Sequence, residues 1–311
     1  MKKILSLALV LVLALSVFVG CGGGEKDYTL AIGVQVTNDL SSAKSSQTVA
    51  VVVADKDGKI VACRIDAIDF EAKEKNGEAV TTAPVSKAEL GDSYNMVTYG
   101  KAIAEWYKQA EAFENYAKGK TLAEVKATAV NGEGKPTGAD LTAGCTISVS
   151  DFILAIEKAF ASTKKVDFKA AGEIKLGVSV SAAAIKYSKD TAKYDYECDF
   201  SGVATVDGKV VSAIIDATAV TATTTKNENG KISATKMDYK GTKLEQGDAY
   251  NMVTYGKAQA EWYVQAQTYA NTAVGKTASE LASLAVKDVA GCTIAVEGYK
   301  VALEKAAKAA R

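Results

Sequence analysis

The chain has 311 residues, 48% of them hydrophobic, and its 37 basic and 37 acidic side chains leave a formal net charge of zero. This length suits about two domains of roughly 150 residues each, and the balanced charge argues against a nucleic-acid-binding protein. The sequence contains no histidine, which excludes Ser/His and Cys/His catalytic pairs and histidine-ligated zinc.

The N-terminus has the layout of a secretory signal. Two lysines follow Met1, an apolar run covers residues 4–19, and Gly20 and Cys21 come directly after it. The run is shorter than the roughly 20 apolar residues of a membrane-spanning helix. The stretch FVGC resembles a bacterial lipobox, which implies that Cys21 becomes the lipidated N-terminus. An ordinary cleaved signal is the alternative. We therefore expect a signal peptide over 1–21, a flexible tether over 22–27 and an anchor on the extracytoplasmic face of the cell membrane.

Most of the remaining sequence occurs in two similar copies. GDSYNMVTYGKAIAEWY at 91–107 corresponds to GDAYNMVTYGKAQAEWY at 247–263. The motif IDA, which follows DGKIV or DGKVV, and the motif AGCTI also occur once in each copy. We expect two tandem repeats, over 28–165 and 166–311.

Strand patterns come first in each copy. Asp57-Gly58 separates two alternating apolar runs and predicts a β-hairpin, while Asn76-Gly77 and Asn229-Gly230 predict further tight turns. Three aspartates lie on these strands, namely Asp66, Asp69 and Asp216. They are either cation ligands or ordinary residues of solvated strand faces.

Helix patterns follow the strands. A stripe with three- and four-residue spacing predicts one helix face, made of Met96, Tyr99, Ile103, Trp106, Ala110, Phe113 and Ala117. Glu105 and its counterpart Glu261 should lie on the wet side of these helices. The last helix of the first copy begins near Ser150, with Ser148 or Ser150 as its cap, and its counterpart begins near Glu297. This order predicts an α+β fold in which each repeat is an antiparallel β-sheet with helices packed against it.

The repeated AGCT stretch lies shortly before each last helix. A helix N-terminus offers free N–H groups and a partial positive charge, which suit a phosphate. Gly144 and Gly291 would allow close approach to the backbone, and Thr146 and Thr293 add a hydroxyl. An ordinary turn of small residues is the alternative.

The hairpin, the long helix and the stretch DLTAGCTISVSDFILAIEKAF together resemble the FMN-binding domain family, which includes flavin-carrying subunits of sodium-pumping NADH-quinone oxidoreductase and Rnf complexes. Its motif is Asp-x-x-Ser-Gly-Ala-Thr, and the final threonine carries FMN through a phosphoester bond made by a flavin transferase. Asp140, Gly144 and Thr146 match this motif, whereas Ala143 and Cys145 replace its serine and alanine.

The second copy departs further from the motif. Gly291 and Thr293 match, but Lys287 stands at the aspartate position, so the resemblance favours Thr146 over Thr293 as the FMN site. It implies an electron carrier with redox partners rather than an enzyme with its own substrate. A ligand-binding or interaction lipoprotein without flavin is the alternative.

The roles of the aromatic residues and of the cysteines remain open. The tyrosines and tryptophans of 94–107 and 250–263 could stack on a flavin, although core packing is the expected role of the tryptophans. The cysteines lack the close pairs of zinc or iron-sulfur sites, and a Cys145–Cys292 disulfide is the alternative to free thiols.

Overall fold

A computed structural model describes residues 24–311. The predicted signal peptide and the lipidated Cys21 therefore lie outside the described residues. The described part is a mixed α+β structure of ten α-helices and three antiparallel sheets, as the sequence predicts. The strand that begins at Lys26 already pairs along its first residues, so the end of the predicted tether belongs to a sheet.

The first half contains five strands and six helices. In chain order they are β1 (Lys26–Asp39), β2 (Lys44–Asp55), β3 (Ile60–Glu71), β4 (Glu74–Lys75), β5 (Glu78–Ala79), α1 (Lys87–Leu90), α2 (Met96–Gly100), α3 (Trp106–Ala117), α4 (Leu122–Lys126), α5 (Ala139–Thr142) and α6 (Ser150–Ala161).

The second half contains six strands and four helices. They are β6 (Val166–Ala170), β7 (Lys175–Ala182), β8 (Lys186–Ser188), β9 (Lys193–Val206), β10 (Lys209–Lys226), β11 (Ile232–Asp238), α7 (Lys243–Gln246), α8 (Trp262–Asn271), α9 (Ala278–Leu281) and α10 (Glu297–Lys308).

Two larger sheets and one small hairpin account for the strands. One sheet has the order β3-β2-β1-β6 and the other β11-β10-β9-β7, with β8 added beside β9. The predicted turns at Asp57-Gly58, Asn76-Gly77 and Asn229-Gly230 all connect paired strands. Strand β6 follows the predicted boundary at residue 165 and yet pairs with β1, so the linker between the copies completes the first sheet.

The two larger sheets pack face to face. One hydrophobic cluster contains Ile32 and Val51 of the first sheet together with Val203 and Ile214 of the second. Gly202 permits this contact, because a side chain there would overlap Val51. The Thr218 hydroxyl also donates a buried hydrogen bond to Gln47 Oε1 (2.6 Å). The two halves therefore share a core.

Helices cover the outer face of each sheet. Helix α6 lies on β1 and β2, and α10 lies on β7 and β9. In both cases a glycine of the repeated IGV or LGV motif lies under the helix: a Cβ on Gly33 would overlap Ala155 and Ala159, and one on Gly177 would overlap Ala306. These glycines allow close helix-to-sheet contact, which is a packing reason for the repeated motif.

The single helix predicted over residues 96–117 is wrong. Helix α2 ends at Gly100, where Lys101 adopts a left-handed conformation with φ 50°, and α3 begins at Trp106. The chain turns here because Glu105 accepts hydrogen bonds from the N–H groups of Met96 and Val97 (2.8 and 3.1 Å).

The same contacts correct the prediction for Glu105, which is buried rather than on the wet side of its helix. Glu261 makes the equivalent bonds to the N–H groups of Met252 and Val253. A carboxylate that satisfies otherwise unpaired N–H groups at the start of a short helical turn stabilises that turn. The predicted stripe is therefore split: Met96 still packs against the core, whereas Tyr99 and Ile103 are exposed.

The starts of the two last helices are confirmed at Ser150 and Glu297. The predicted serine caps are wrong, because Val149 occupies the N-cap position of α6 and no side chain caps it. Its N–H group donates instead to the backbone carbonyl of Gly134 (2.9 Å).

Candidate functional site

Each AGCT threonine is bound to a glutamine of the helix beside it. Gln109 Oε1 accepts from the Thr146 N–H group (2.8 Å) and hydroxyl (3.2 Å). Gln265 does the same for Thr293, at 2.7 and 3.0 Å. Both glutamines are fully buried. Their amide groups also donate to the carbonyls of Ala104 and Ala260, which fixes the oxygen toward the threonine.

These contacts limit which ligand groups can bind at the loops that contain Thr146 and Thr293. Thr146 lies four residues before α6 begins, so it is not at the helix N-terminus. Its own N–H group donates to Gln109 and is therefore not free for a phosphate. A phosphoester on the hydroxyl would place negative oxygens against that carbonyl oxygen, an acceptor facing acceptors. The residues around Thr146 and Thr293 therefore do not fit a phosphate-linked flavin.

Neither Asp140 nor Gly144 makes a hydrogen bond to Thr146. Asp140 is exposed on the short helix α5, and Gly144 packs against Ala112 of α3. Gly291 adopts a positive φ of 77°, and it lies with Thr293 on the wall of an open cleft near Lys287. The second threonine loop is thus the more accessible one, although the sequence favours the first.

All four described cysteines are free and buried, so the Cys145–Cys292 disulfide alternative is wrong. Burial raises the pKa of the Cys145 thiol to about 11 and raises that of Cys292 as well. A thiol that stays protonated is a poor nucleophile and a poor metal ligand. These cysteines act as small apolar core residues.

The aromatic residues divide into core and surface groups. The tryptophans are in the core, as expected: Trp106 packs edge-on to Phe152 with ring centroids 5.7 Å apart, and the Trp262 indole donates to the Tyr299 hydroxyl (3.1 Å). Tyr99 and Tyr255 are instead 83% and 81% exposed. The corresponding tyrosine of each nearly identical stretch is therefore exposed to solvent.

Asp66 and Asp216, of the repeated IDA motif, are buried and not on solvated strand faces. Asp66 accepts from the Ser86 hydroxyl (2.6 Å) and from the N–H group of Ala88 in the first turn of α1 (2.9 Å). Asp216 likewise accepts from the N–H group of Leu244 in α7 (3.0 Å). Each aspartate thus ties a short helix to its sheet by satisfying an otherwise unpaired N–H group.

Burial raises the pKa of Asp66 to about 6 and that of Asp216 to about 7, from the ordinary value of 3.8. The folded protein therefore holds these protons more tightly than the unfolded chain. Stability should rise as the pH falls from about 8 to about 5, on the order of 1 kcal/mol from Asp66 and 3 kcal/mol from Asp216.

Urea unfolding of the wild type and of D66N/D216N at both pH values tests this expectation. The double variant should lose most of the pH dependence, since asparagine keeps an acceptor oxygen but does not titrate. The exposed pair D92N/D248N is the matched control and should keep the wild-type profile. Equal wild-type stability at the two pH values would contradict the expectation.

Each buried aspartate lines a cavity between the two halves. The smaller cavity, of about 240 Å³, lies between Asp216 and Gly33, and Lys158 bonds to Glu245 across its mouth (2.8 Å). The larger one, of about 440 Å³, has Asp66 on its wall and a corresponding Lys305–Glu89 pair (3.2 Å). Matching positions of the two sequence copies thus form two cavities of unequal size.

The larger cavity contains charged residues that the smaller one lacks. Arg64 Nη1 lies 2.9 Å from Glu114 Oε2, and Arg311 Nη2 lies 3.2 Å from the same oxygen. In the second copy the positions of Arg64 and Glu114 are taken by Ile214 and Ala270, both buried. The ion pair is therefore a specific feature of one cavity.

These residues were missed at the sequence level. The one available signal was a difference between the copies: an arginine and a glutamate stand where the second copy has isoleucine and alanine. Arg64 and Glu114 are 50 positions apart, so only the packing of α3 on β3 shows that the two differences are coupled.

Within residues 24–311, every helix is too short or too polar to cross a membrane. Over the same range no group of three or more Cys, Asp or Glu side chains is placed to hold a metal ion. Comparisons of the chain with known protein families, curated proteins and solved structures found no match.

Proposed function

We propose that the chain is a lipid-anchored extracytoplasmic protein, built from two copies of one α+β unit, that binds a small ligand between its halves and carries no covalent flavin. The observation that carries this proposal is the larger cavity, whose wall combines apolar strand residues with Arg64, Asp66 and Arg311. A concave site with an apolar lining and a few convergent polar groups is typical of small-molecule binding.

Three further points support the proposal. The glutamine contacts of Thr146 and Thr293 disfavour a phosphate at the positions that the FMN-binding resemblance nominates. Trp106 and Trp262, which were considered for flavin stacking, are both buried in the core. The lipobox-like FVGC stretch supports an anchor at Cys21 on the outer face of the cell membrane.

Intact-mass measurement tests the covalent state. The full chain is co-expressed with a flavin transferase in a secreting bacterial host and measured under denaturing conditions. We expect a mass that corresponds to a chain lipidated at Cys21, with no FMN adduct, and T146A and T293A should differ from it only by the substitution. An FMN adduct that either variant loses would overturn the proposal in favour of an electron carrier.

Native mass measurement tests the cavity. Protein purified from its host should carry a noncovalent small-molecule adduct, because a lined cavity between the halves retains a ligand through gentle purification. The adduct should disappear in R64I/E114A, which places the second copy's apolar residues at these two positions. An adduct that is fully retained in this variant would place ligand binding elsewhere.

A further inference from the structure

The larger cavity runs along the edge of strand β7. This strand is the last one of its sheet, and three consecutive residues of it, Val178, Ser179 and Val180, line the cavity. Successive side chains of a strand point to opposite faces of the sheet, so side chains alone cannot bring three neighbours to one cavity. The main-chain edge of β7 therefore forms part of the cavity wall.

The pairing of β7 with β9 shows which main-chain groups point toward this edge. The two strands are antiparallel, and in their register the N–H group of Ala183 donates to the carbonyl of Glu197 (3.0 Å). Residues that bond to the partner strand alternate with residues that point away from it. The N–H and C=O groups of Val178 and Val180 therefore point away from β9, and they have no hydrogen-bond partner within residues 24–311. Both residues are buried, and buried main-chain groups are nearly always paired, so we expect their partner in the cavity.

The chain itself already pairs with this edge on both sides of the cavity. Leu176 exchanges two main-chain hydrogen bonds with Arg311, at 3.4 and 3.3 Å, which is the pattern of an antiparallel strand pair. Just past the end of β7, the N–H group of Ile185 donates to the carbonyl of Thr81 (2.9 Å). The open part of the edge is therefore short, and it continues a pairing with extended chain that Arg311 begins.

We propose that the larger cavity binds a short apolar peptide of two or three residues as an added strand, with its main-chain groups on those of Val178 and Val180. A peptide offers donors and acceptors at the spacing of a strand edge, which is how extended peptides join sheets in proteins. The volume of about 440 Å³ has room for a peptide of this length. The proposal rests on the proposed ligand-binding function and names the class of its ligand.

The preference for apolar peptide side chains follows from the two valines. Their side chains belong to the core between the sheets. Residues directly opposite each other in paired strands have side chains on the same face of the sheet. The peptide residues opposite Val178 and Val180 therefore extend that core, and apolar side chains suit these positions.

The smaller cavity has a similar wall but less space. Ile32, Gly33 and Val34 of β1 line it, and they correspond to residues 176–178 of β7 in the two sequence copies. Its volume is about 240 Å³, compared with about 440 Å³ for the larger cavity. We therefore expect one peptide per chain, bound at β7.

Isothermal titration of the full chain with the tripeptide Val-Ala-Val tests the proposal. The comparison ligand is the same tripeptide methylated on both amide nitrogens, which removes its two amide N–H donors and keeps its side chains and charged ends. We expect saturable binding of one Val-Ala-Val per chain and at least about 10-fold weaker binding of the methylated peptide, because a main-chain carbonyl of β7 then stays unpaired.

A proline at position 178 tests the protein side of the same contact. V178P removes an N–H group that β9 does not use, and proline is tolerated in edge strands when its nitrogen faces outward. V178A is the matched control, because it also loses the valine side chain but keeps the N–H group. We expect V178P to bind Val-Ala-Val about 10-fold more weakly than V178A does.

The outcomes separate the two proposals. Equal affinity for the two peptides, equal affinity of V178P and V178A, or no saturable binding of Val-Ala-Val would each overturn the peptide class. If native mass measurement still shows an adduct that depends on Arg64 and Glu114, the ligand-binding function stands and only its ligand class is wrong. Circular dichroism shows whether each variant is folded, and if V178P is not, the two peptides on the wild type decide the question.

Discussion

Replacing Gly33 by alanine should lower the free energy of unfolding by about 3 kcal/mol or more, at the upper end of the range for overpacked cores. A Cβ at this position would overlap the carbonyl oxygen of Ala155 and the amide nitrogen of Ala159. Both are backbone atoms of α6 and cannot rotate away, so the whole helix must move off β1. That movement also loosens the apolar contacts between this helix and the sheet.

Gly177 occupies the same position under α10, where a Cβ would overlap the carbonyl of Ala306, and G177A should be similarly destabilising. Gly132 is the matched control, because nothing lies within 4 Å of a Cβ there. Its alanine variant should change stability by less than about 0.5 kcal/mol. Denaturant unfolding measures all three. A loss below about 1 kcal/mol in both G33A and G177A would show that the helices are not held as closely as the structure has them.

Removing the Glu114 side chain alone should cost about 3–5 kcal/mol, since it leaves the buried Arg64 guanidinium without its counter-ion. Glu114 is a buried residue of α3 and also accepts from Arg311 and from the backbone of Ile65. Burial raises the pKa of Glu114 even though Arg64 opposes this. Such a charge pair is costly to break and contributes little compared with well-packed apolar residues.

The similarity between the two sequence copies suggests the compensating change. The double variant R64I/E114A carries the residues found at these positions in the second copy, Ile214 and Ala270, which are buried there without any ion pair. Its stability should therefore lie within about 1 kcal/mol of the wild type or above it. A double-mutant cycle with R64I, E114A and the pair measures the coupling. A double variant as unstable as E114A would mean that the first half cannot accommodate the apolar pair.

If R64I/E114A is as stable as the wild type, the effect of the ion pair on ligand binding can be measured separately from its effect on stability. R64I/E114A would then remove the ion pair from the larger cavity of a protein that is otherwise intact. Loss of the noncovalent adduct in this variant could be assigned to the missing ion pair rather than to unfolding.

Local signals predicted the local elements well. Asp57-Gly58 and Asn229-Gly230 are at the turns, and the last helices begin at Ser150 and Glu297 as predicted. Turn and periodicity signals depend on residues close together in the chain, which is why they could be recognised. The stripe from Met96 to Ala117 failed because Glu105 binds back to the N–H groups of Met96 and Val97, and helical spacing alone does not detect such a capping contact.

The candidate site was less predictable. The sequence directed attention to Gly144 and Thr146, and it could not show that Gln109 binds that threonine across 37 positions. Burial of Asp66 and Asp216 was equally hidden, because a strand aspartate looks the same whether its neighbours are solvent or a helix from later in the chain.

The amino-acid sequence by itself determined the α+β class, the hairpins and the last helices, since these follow from motifs and periodicity along the chain, and its two similar stretches predict a tandem repeat. Tertiary structure alone decided that the halves pack sheet to sheet, that Tyr99 and Tyr255 reach solvent, and that Arg64, Glu114, Ser179 and Arg311 meet at one cavity. The physical reason is that burial and electrostatic pairing depend on distances in space. Residues far apart in the chain acquire those distances only when the two sheets and their helices pack together.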